Sequence, residues 1–208
     1  MASNVNPDRA GDARREARSR PYLFVLTLLL LVGSATLNVF LAKRVEGLRR
    51  DLLYVKSENR LAAGASVQAI EAKDLDGRPT SIAYANGSRP TVIYVFSPSC
   101  RWCAKNLSNI KTLASQVSGQ YQFVALSLTT SNLREYVAGH NFDFPVYSEP
   151  APAAITSYKM GGTPQTIVIS EGGKVLKNWY GAYMGGTQKE IEDYFHLRLP
   201  GLVGEGAN

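Results

Sequence analysis

Two cysteines separated by two residues are the most chemically distinctive feature of this sequence. Cys100 and Cys103 are the only cysteines among its 208 residues. Thiolates are nucleophiles, and two thiols three positions apart share a helix face. One thiol can therefore attack a disulfide, and the second can then displace the partner. This spacing predicts a redox-active pair, with Cys100 as the nucleophile and Cys103 as the resolving thiol.

A structural disulfide, two inert thiols and half of a metal site are the alternatives. Structural disulfides stabilise more when they close longer loops, and this loop would enclose only two residues. A zinc site needs four ligands, and the chain adds only His140 and His196, which are not a ligand-spaced pair. A two-fold dimer could still assemble four cysteines. We expect redox chemistry with no metal and no cofactor.

The segments around the cysteines predict a strand followed by a helix. Residues Thr91–Phe96 are β-branched and aromatic and lie between two prolines, which is typical of a buried strand. After the cysteines, apolar residues recur at helical spacing through Val117. Cys100 should then lie at a helix N-terminus beside Arg101, where the helix dipole favours a thiolate and lowers its pKa to roughly 3.5–7.5.

The rest of the chain alternates between predicted strands and helices, which favours an α/β fold with a parallel component. A hairpin around Asp74–Gly77 precedes the redox strand, and Asn86-Gly87 marks a further turn. Ser131 is the candidate cap of one short helix. The predicted strands are 67–73, 78–84, 121–128, 142–147, 165–169 and 174–180, and the predicted helices are 132–139, 152–158 and 188–197.

A long apolar segment near the N-terminus predicts a transmembrane helix. Residues 21–42 carry no charge and number about 22, enough to cross a lipid bilayer core of about 30 Å. A cleaved signal peptide is the alternative, but the apolar run is long and no A-x-A site precedes Lys43. The sequence therefore favours an uncleaved single-pass anchor in the lipid bilayer.

The remaining boundaries follow from composition. Residues 1–20 are polar and charged, so we expect a disordered tail. Residues 43–64 form a predicted helical spacer, and a short heptad pattern that begins at Leu41 continues into it through Val45, Leu48, Leu52 and Val55. That pattern fits either a solvated spacer or a weak parallel homodimer. Residues 65–199 form the predicted globular domain, and residues 200–208 a flexible tail.

The positive charge is concentrated near the predicted membrane segment. The chain has a net charge of +6, and eleven of its basic residues against six acidic ones lie in residues 1–60. This distribution favours anionic lipid head groups and argues against nucleic acid as a partner. Basic residues are balanced on the two sides of the segment, so charge does not set its orientation. Disulfides persist outside the cytoplasm, which favours a redox domain on the outer side of the cytoplasmic membrane.

A second motif, Gly161-Gly162-Thr163-Pro164, leads directly into the strand that begins at Gln165. With the C-x-x-C motif after one strand and Thr-Pro before another, the sequence resembles the thioredoxin superfamily over residues 66–197. More narrowly, it is similar to membrane-anchored periplasmic thiol-disulfide oxidoreductases of the TlpA/ResA type. The resemblance implies a thioredoxin-like α/β fold, with a central mixed sheet flanked by helices and an N-terminal β-hairpin.

The resemblance also implies a substrate site and partners. Pro164 would be a cis-proline packed against the cysteines, and Thr163 would offer backbone hydrogen bonds to an extended protein substrate. Trp102 is either an exposed platform for that substrate or a half-packed side chain, since aromatic residues often anchor interfaces. The implied activity is reduction of disulfides in extracytoplasmic proteins, with electrons from a membrane-bound donor.

The sequence departs from the family pattern at several places around the motif. Tyr94 lies where many thioredoxins have a buried Asp, and Asn106 and Ser108 lie where many TlpA/ResA-type proteins have Glu and Pro. Ser99 replaces the usual Trp before the first cysteine. The thiol pair is intact, but no acidic group is evident to deprotonate Cys103.

Two other functions remain open from the sequence. The missing acidic residues leave room for a non-catalytic redox sensor or a metal- or partner-binding module built on the same fold. A peroxidase of the same superfamily is a third alternative, although Ser97 lies where its Thr-x-x-Cys threonine is expected.

Overall fold

The computed structural model describes residue 22 and residues 24–47, 60–84 and 88–202. The chain divides into two compact units, residues 1–59 and residues 60–208. In the first unit the described residues form one exposed apolar helix, α1 (Phe24–Gly47), with a mean hydropathy of 2.2. Its length and composition are compatible with a single-pass membrane anchor, and a signal sequence has the same properties.

The second unit is a mixed α/β domain. Within the described residues, seven strands form one sheet in the order β2-β1-β5-β4-β3-β6-β7. The strands are β1 (Ile70–Lys73), β2 (Pro79–Ile82), β3 (Thr91–Phe96), β4 (Gln122–Ser127), β5 (Val146–Ser148), β6 (Gln165–Ile169) and β7 (Val175–Tyr180). The helices are α2 (Arg101–Lys105), α3 (Leu107–Val117), α4 (Leu133–His140), α5 (Pro152–Ser157) and α6 (Gly185–Phe195).

Strand β3 is central and carries the chain to the cysteines. It pairs in parallel with β4 and antiparallel with β6, so the sheet is mixed, as the family resemblance implied. All six residues of β3 are buried. Val92, Tyr94 and Phe96 pack on the face that also contacts Cys103, whereas Ile93 and Val95 pack on the opposite face. A strand covered on both faces requires the continuous apolar run that the sequence shows.

The predicted hairpin and the long strands occur where the sequence placed them, with differences at several ends. The helix after the cysteines is divided at Asn106, which ends α2 and begins α3. The predicted cap at Ser131 is wrong, because Asn132 is the N-cap and its side chain makes no capping hydrogen bond. The last helix begins at Gly185, three residues before the predicted start.

The domain extends further at both ends than the sequence indicated. Leu61 is buried, and the Gly64 amide donates to the Val175 carbonyl over 2.7 Å, so packing begins before residue 65. Leu202 is also buried, and the Gly201 amide donates to Asn109 Oδ1 over 2.9 Å. The predicted tail therefore begins too early at residue 200. The tail at 1–20, most of the heptad pattern and the Asn86-Gly87 turn lie outside the described residues.

Candidate functional site

The first cysteine lies between the end of strand β3 and the start of helix α2. The Cys100 amide donates to the Ser97 carbonyl over 3.0 Å, which closes a turn after β3. Cys100 is the N-cap of α2, and its Sγ accepts a hydrogen bond from the Cys103 amide at 3.2 Å. The sulfur thus occupies the position that a capping oxygen usually takes, and it pairs with an amide that has no partner within the helix. This position suits a thiolate.

The surroundings of Cys100 favour its ionised form. Partial burial raises the pKa of its thiol, but hydrogen bonds from the Cys103 thiol, the Thr163 side chain and the backbone amides of Cys103 and Trp102 outweigh burial. The pKa of Cys100 therefore lies below its ordinary value of 9.0. The direction agrees with the effect expected at a helix N-terminus, and a lower pKa supplies more thiolate for nucleophilic attack at neutral pH.

The second cysteine has the opposite environment. Cys103 is only 1% exposed and packs in the apolar core beneath the sheet face of β3. Burial, together with the neighbouring Cys100, raises the pKa of the Cys103 thiol to about 12. The two sulfurs are not joined by a disulfide in this structure. The pair therefore consists of one accessible, acidic thiol and one buried thiol that holds its proton.

The tertiary fold brings the Thr-Pro motif to the cysteines from more than sixty residues away. Cys100 Sγ lies 3.5 Å from the Thr163 carbonyl oxygen, to which the thiol donates. The peptide bond between Thr163 and Pro164 is cis, as the family resemblance implied. The Pro164 carbonyl accepts from the Gly181 amide at 2.8 Å, which holds this loop against the end of β7.

Trp102 is a partly exposed side chain beside the cysteines. It is 39% exposed, and the Arg101 guanidinium and the Lys105 ammonium each lie 5.4 Å from its ring centroid. Neither cation forms an ion pair with any of the residues that the structure describes. Trp102 thus presents an apolar face with two flanking positive charges, and both alternatives for its role stay open.

The positions that lack the family's acidic residues are buried next to Cys103. Tyr94 and Asn106 are 2% and 0% exposed. The Asn106 side chain bridges two segments, since its Oδ1 accepts from the Tyr183 amide and from Asn109 Nδ2, each at 3.0 Å. The sequence showed the missing acids but did not indicate this bridge. A polar residue on the inner face of an amphipathic helix was the available signal.

A hydroxyl cluster under the Cys100 turn was also missed. Ser97 Oγ lies 3.0 Å from both Ser99 Oγ and Thr129 Oγ1, and Ser127 Oγ donates to the Thr129 carbonyl. These contacts tie the turn to the end of β4, which runs beside β3. Four short hydroxyl side chains at strand ends give only a turn signal in sequence, because their pairing depends on the parallel register.

Comparison with known proteins agrees with this architecture. Residues 63–178, more than half of the chain, match the model of the AhpC/TSA family. A curated relative from Haemophilus influenzae, named a thioredoxin-like protein, is 23% identical over 109 residues. That match covers 51% of this chain and 64% of the relative, so it spans less than two thirds of that protein.

Two solved structures share the fold at low identity. The thioredoxin domain of a thiol-disulfide oxidoreductase from Bacteroides vulgatus is 17% identical, with a TM-score of 0.54 over 65% of this chain and 99% of that one. A Chlorobium tepidum protein, named as a thiol:disulfide interchange protein DsbE, is 19% identical, with a TM-score of 0.55 over 65% of this chain and 96% of that one. The chain therefore belongs to the AhpC/TSA family and has a thioredoxin-like fold.

Proposed function

We propose that this protein is a membrane-anchored thiol-disulfide oxidoreductase that reduces disulfides of extracytoplasmic proteins. The contrast between the two thiols carries this proposal. Cys100 is partly exposed and its pKa is lowered, whereas Cys103 is buried and its pKa is raised to about 12. Such a pair suits a two-step exchange, in which one thiol reacts with an incoming disulfide and the other reacts only after the first has become part of a mixed disulfide.

The proposed reaction begins with the Cys100 thiolate. It attacks one sulfur of a substrate disulfide, forms a mixed disulfide and releases the other substrate sulfur as a thiolate. Cys103 then attacks the Cys100 sulfur, so that the intramolecular disulfide forms and the substrate leaves as a dithiol. Two electrons pass from the protein to the substrate, and a membrane-bound dithiol donor returns them.

The residues beside Cys100 are proposed to hold the substrate. The Thr163 carbonyl oxygen lies 3.5 Å from Cys100 Sγ, and Pro164 follows it directly before β6, so the loop brings its backbone to the reacting atom. An extended peptide can pair with such a backbone segment. Trp102 is proposed as an apolar platform at the edge of this site, and its exposed ring can be desolvated by a bound peptide.

The localisation rests on the apolar helix and on redox chemistry. Helix α1 is long and apolar enough to cross a bilayer. Because disulfides persist outside the cytoplasm, a disulfide reductase has substrates on that side. We propose residues 21–42 as the inner-membrane anchor, followed by a spacer that ends before the buried Leu61, and a periplasmic redox domain. A membrane-impermeant thiol reagent should label Cys100 in intact cells that express the chain, and labelling only after lysis would contradict this orientation.

Trapping of the mixed disulfide tests the mechanism. The full chain in detergent is incubated with a disulfide-bonded peptide, and the products are separated on a non-reducing gel. Cys103→Ser should accumulate a mixed disulfide through Cys100, because the resolving thiol is missing, and Cys100→Ser should form none. A mixed disulfide that accumulates in Cys100→Ser would reverse the two roles.

The reduction potential decides the direction of electron flow. Equilibration of the full chain with glutathione should give a value near that of thioredoxin, about −270 mV, if the protein is a reductant. A value near about −120 mV would indicate an oxidant. Equilibration without turnover of any disulfide peptide would instead support the redox sensor or binding module, as would stoichiometric metal that is lost in Cys100→Ala.

A further inference from the structure

Two buried polar atoms beside the cysteines make no hydrogen bond with any residue that the structure describes. They are the Tyr94 hydroxyl oxygen and Asn106 Nδ2. Most buried polar groups in folded proteins are paired, because leaving one unpaired loses its hydration without compensation. Both atoms belong to residues where related proteins have other side chains, and both lie near the resolving thiol. The free-energy cost of burying these two atoms without hydrogen bonds therefore needs an explanation.

The orientation of Asn106 is fixed by backbone donors. The Gly201 amide donates to Asn109 Oδ1 at 2.9 Å, which directs Asn109 Nδ2 toward Asn106 Oδ1 at 3.0 Å. The Tyr183 amide donates to the same Asn106 oxygen at 3.0 Å. Since backbone amides only donate, neither side-chain amide can be reversed without placing donor against donor. Nδ2 of Asn106 is therefore the donor left over.

Tyr94 approaches Cys103 from the sheet. Its side chain lies on the face of β3 that packs against Cys103, and its ring stacks on Phe96 with centroids 5.8 Å apart. This stacking limits the positions that the hydroxyl can take. Asn106 reaches the same place from the C-terminal end of α2, three residues after Cys103. The sulfur, the hydroxyl and the amide thus converge from one strand and one helix.

Electrostatics indicate which group donates to which. Burial raises the pKa of Tyr94 well above its ordinary value, Cys103 raises it further, and Asn106 lowers it. A group that raises the pKa of a phenol favours the proton staying on it, as an acceptor does, and a group that lowers it acts as a donor. Both groups thus act on the Tyr94 hydroxyl, and the unpaired Asn106 amide is a donor while the Cys103 sulfur is an acceptor. Tyr94 stays neutral and cannot serve as a base.

We propose that Tyr94 and Asn106 are positioning residues for the resolving step: as Cys103 Sγ becomes a thiolate, the Tyr94 hydroxyl donates to that sulfur and Asn106 Nδ2 donates to the Tyr94 oxygen. A neutral hydroxyl and amide thus stabilise the buried anion where a carboxylate would instead remove its proton. This inference rests on the proposed disulfide exchange and extends it to the second step.

The step is balanced without a further reactant. Cys103 gives up its proton, and its thiolate attacks Cys100 Sγ in the mixed disulfide. The Cys100–Cys103 bond forms, the bond from Cys100 to the substrate breaks, and the substrate sulfur leaves with the electron pair and takes up a proton, directly or through solvent. The unpaired hydroxyl and amide of the thiol form gain their partner only when the anion forms, so their interaction favours the reactive state.

The titratable groups around Cys103 come from three elements. They are Cys100 on the preceding turn, Tyr94 on β3 and Tyr136 on α4, whose pKa is raised by burial and by both cysteines to about 12. Backbone hydrogen bonding from Ser97 and a hydrogen bond with Thr163 lower the pKa of Cys103 but do not offset its burial. No carboxylate is among the groups that shift the pKa of this thiol in the described part of the chain.

The test separates the two thiol reactions with one aromatic disulfide, 5,5′-dithiobis(2-nitrobenzoate), added to the reduced full chain in detergent. The first release of coloured thiolate reports attack by Cys100, and the second reports attack by Cys103. Tyr94→Phe should leave the first rate unchanged and slow the second by about tenfold or more, because it removes a hydrogen bond to a charged group. The pH dependence of the second rate should also move upward.

A second tyrosine provides the matched control. The Tyr183 hydroxyl lies 2.6 Å from Thr166 Oγ1 and is fully buried, so Tyr183→Phe leaves that partner unpaired. We expect Tyr183→Phe to lower the thermal midpoint without slowing the second release. Tyr94→Phe, which deletes an unpaired hydroxyl, should keep or raise that midpoint. If the role of Tyr94 were purely structural, Tyr94→Phe would lower the thermal midpoint as well as the second rate. Comparison with Tyr183→Phe therefore separates a positioning role from a structural role.

The outcomes also separate this inference from the proposed function. If the second rate in Tyr94→Phe equals that of the unaltered chain while both releases occur, the assignment of Tyr94 and Asn106 is overturned and disulfide exchange stands. If Cys100→Ser still gives a rapid first release, the roles of the two thiols are overturned, and this inference falls with them.

Discussion

The difference in pKa between the two thiols makes a quantitative prediction about their alkylation. Cys103 has a pKa of about 12, and the pKa of Cys100 lies below 9.0. Three pH units or more correspond to a ratio of at least about 1,000 in thiolate fraction near neutral pH. The less basic thiolate is the weaker nucleophile, with an exponent of about 0.4–0.5 in thiol exchange, which reduces this advantage about 20-fold. Cys100 should still react about 50-fold faster.

Burial adds to that factor, because the Cys103 side chain is only 1% exposed and a reagent must reach its sulfur. The assay treats the reduced full chain with limiting iodoacetamide at neutral pH and quantifies the two labelled positions by peptide mass spectrometry. Cys103→Ser should retain the label and Cys100→Ser should lose nearly all of it. Labelling of the two cysteines within a factor of about five of each other would refute the inferred asymmetry.

Further predictions concern the neighbours of the thiols. Cys103→Ala should raise the pKa of Cys100, because its thiolate loses the hydrogen bond from the Cys103 thiol, whereas Cys103→Ser should keep most of the effect. Ultraviolet titration of the thiolate measures both variants, and an unchanged pKa in Cys103→Ala would contradict this hydrogen bond. Trp102→Ala should raise the KM for a disulfide peptide several-fold with little change in unfolding midpoint, and an unchanged KM would remove Trp102 from the substrate site. Asn106→Ala should destabilise the fold by about 2–4 kcal/mol in urea denaturation, because the Tyr183 amide and Asn109 each lose an acceptor, and a loss below about 0.5 kcal/mol would contradict the bridge. Burial raises the pKa of Tyr158 from 10.0 to about 12, so the contribution of this tyrosine to the free energy of unfolding is complete below pH 10 and is lost as the pH rises toward 12. Unfolding followed by circular dichroism should show this loss of stability, and Tyr158→Phe should lose less stability over the same pH range.

The elements nearest the cysteines were predictable because their signals are local. The strand Thr91–Phe96 is where the sequence placed it, since six consecutive apolar or β-branched residues between prolines suit a strand covered on both faces. The position of Cys100 at a helix N-terminus followed from the strand, the short turn and the helical periodicity. The family match and the thioredoxin-like fold confirm the superfamily that the two motifs indicated.

The predictions from sequence were wrong where the structure of one segment depends on contacts with a distant segment. Leu61 and Leu202 are buried, and hydrogen bonds join Leu61 to Asn178 and Gly201 to Asn109, so composition at the ends of the domain gave no indication of where packing begins or stops. The cap at Asn132 adopts a left-handed backbone, with φ of 56°, that propensity rules did not favour over Ser131. The helix is divided at Asn106, whose side chain accepts a hydrogen bond from the Tyr183 amide, and helical periodicity gives no indication of that contact.

The sequence alone determined the thiol pair, the strand and helix on either side of it, the Thr-Pro motif and the apolar helix, because each is written in adjacent residues or in a local period. Only the tertiary structure decided what surrounds each sulfur. The parallel register of β3 and β4, the approach of Thr163 to Cys100, and the packing of Tyr94 in the same core as Cys103 join residues that share no local pattern. The environments that separate the two thiols depend on burial and on directional hydrogen bonds, and both arise only when distant segments pack together.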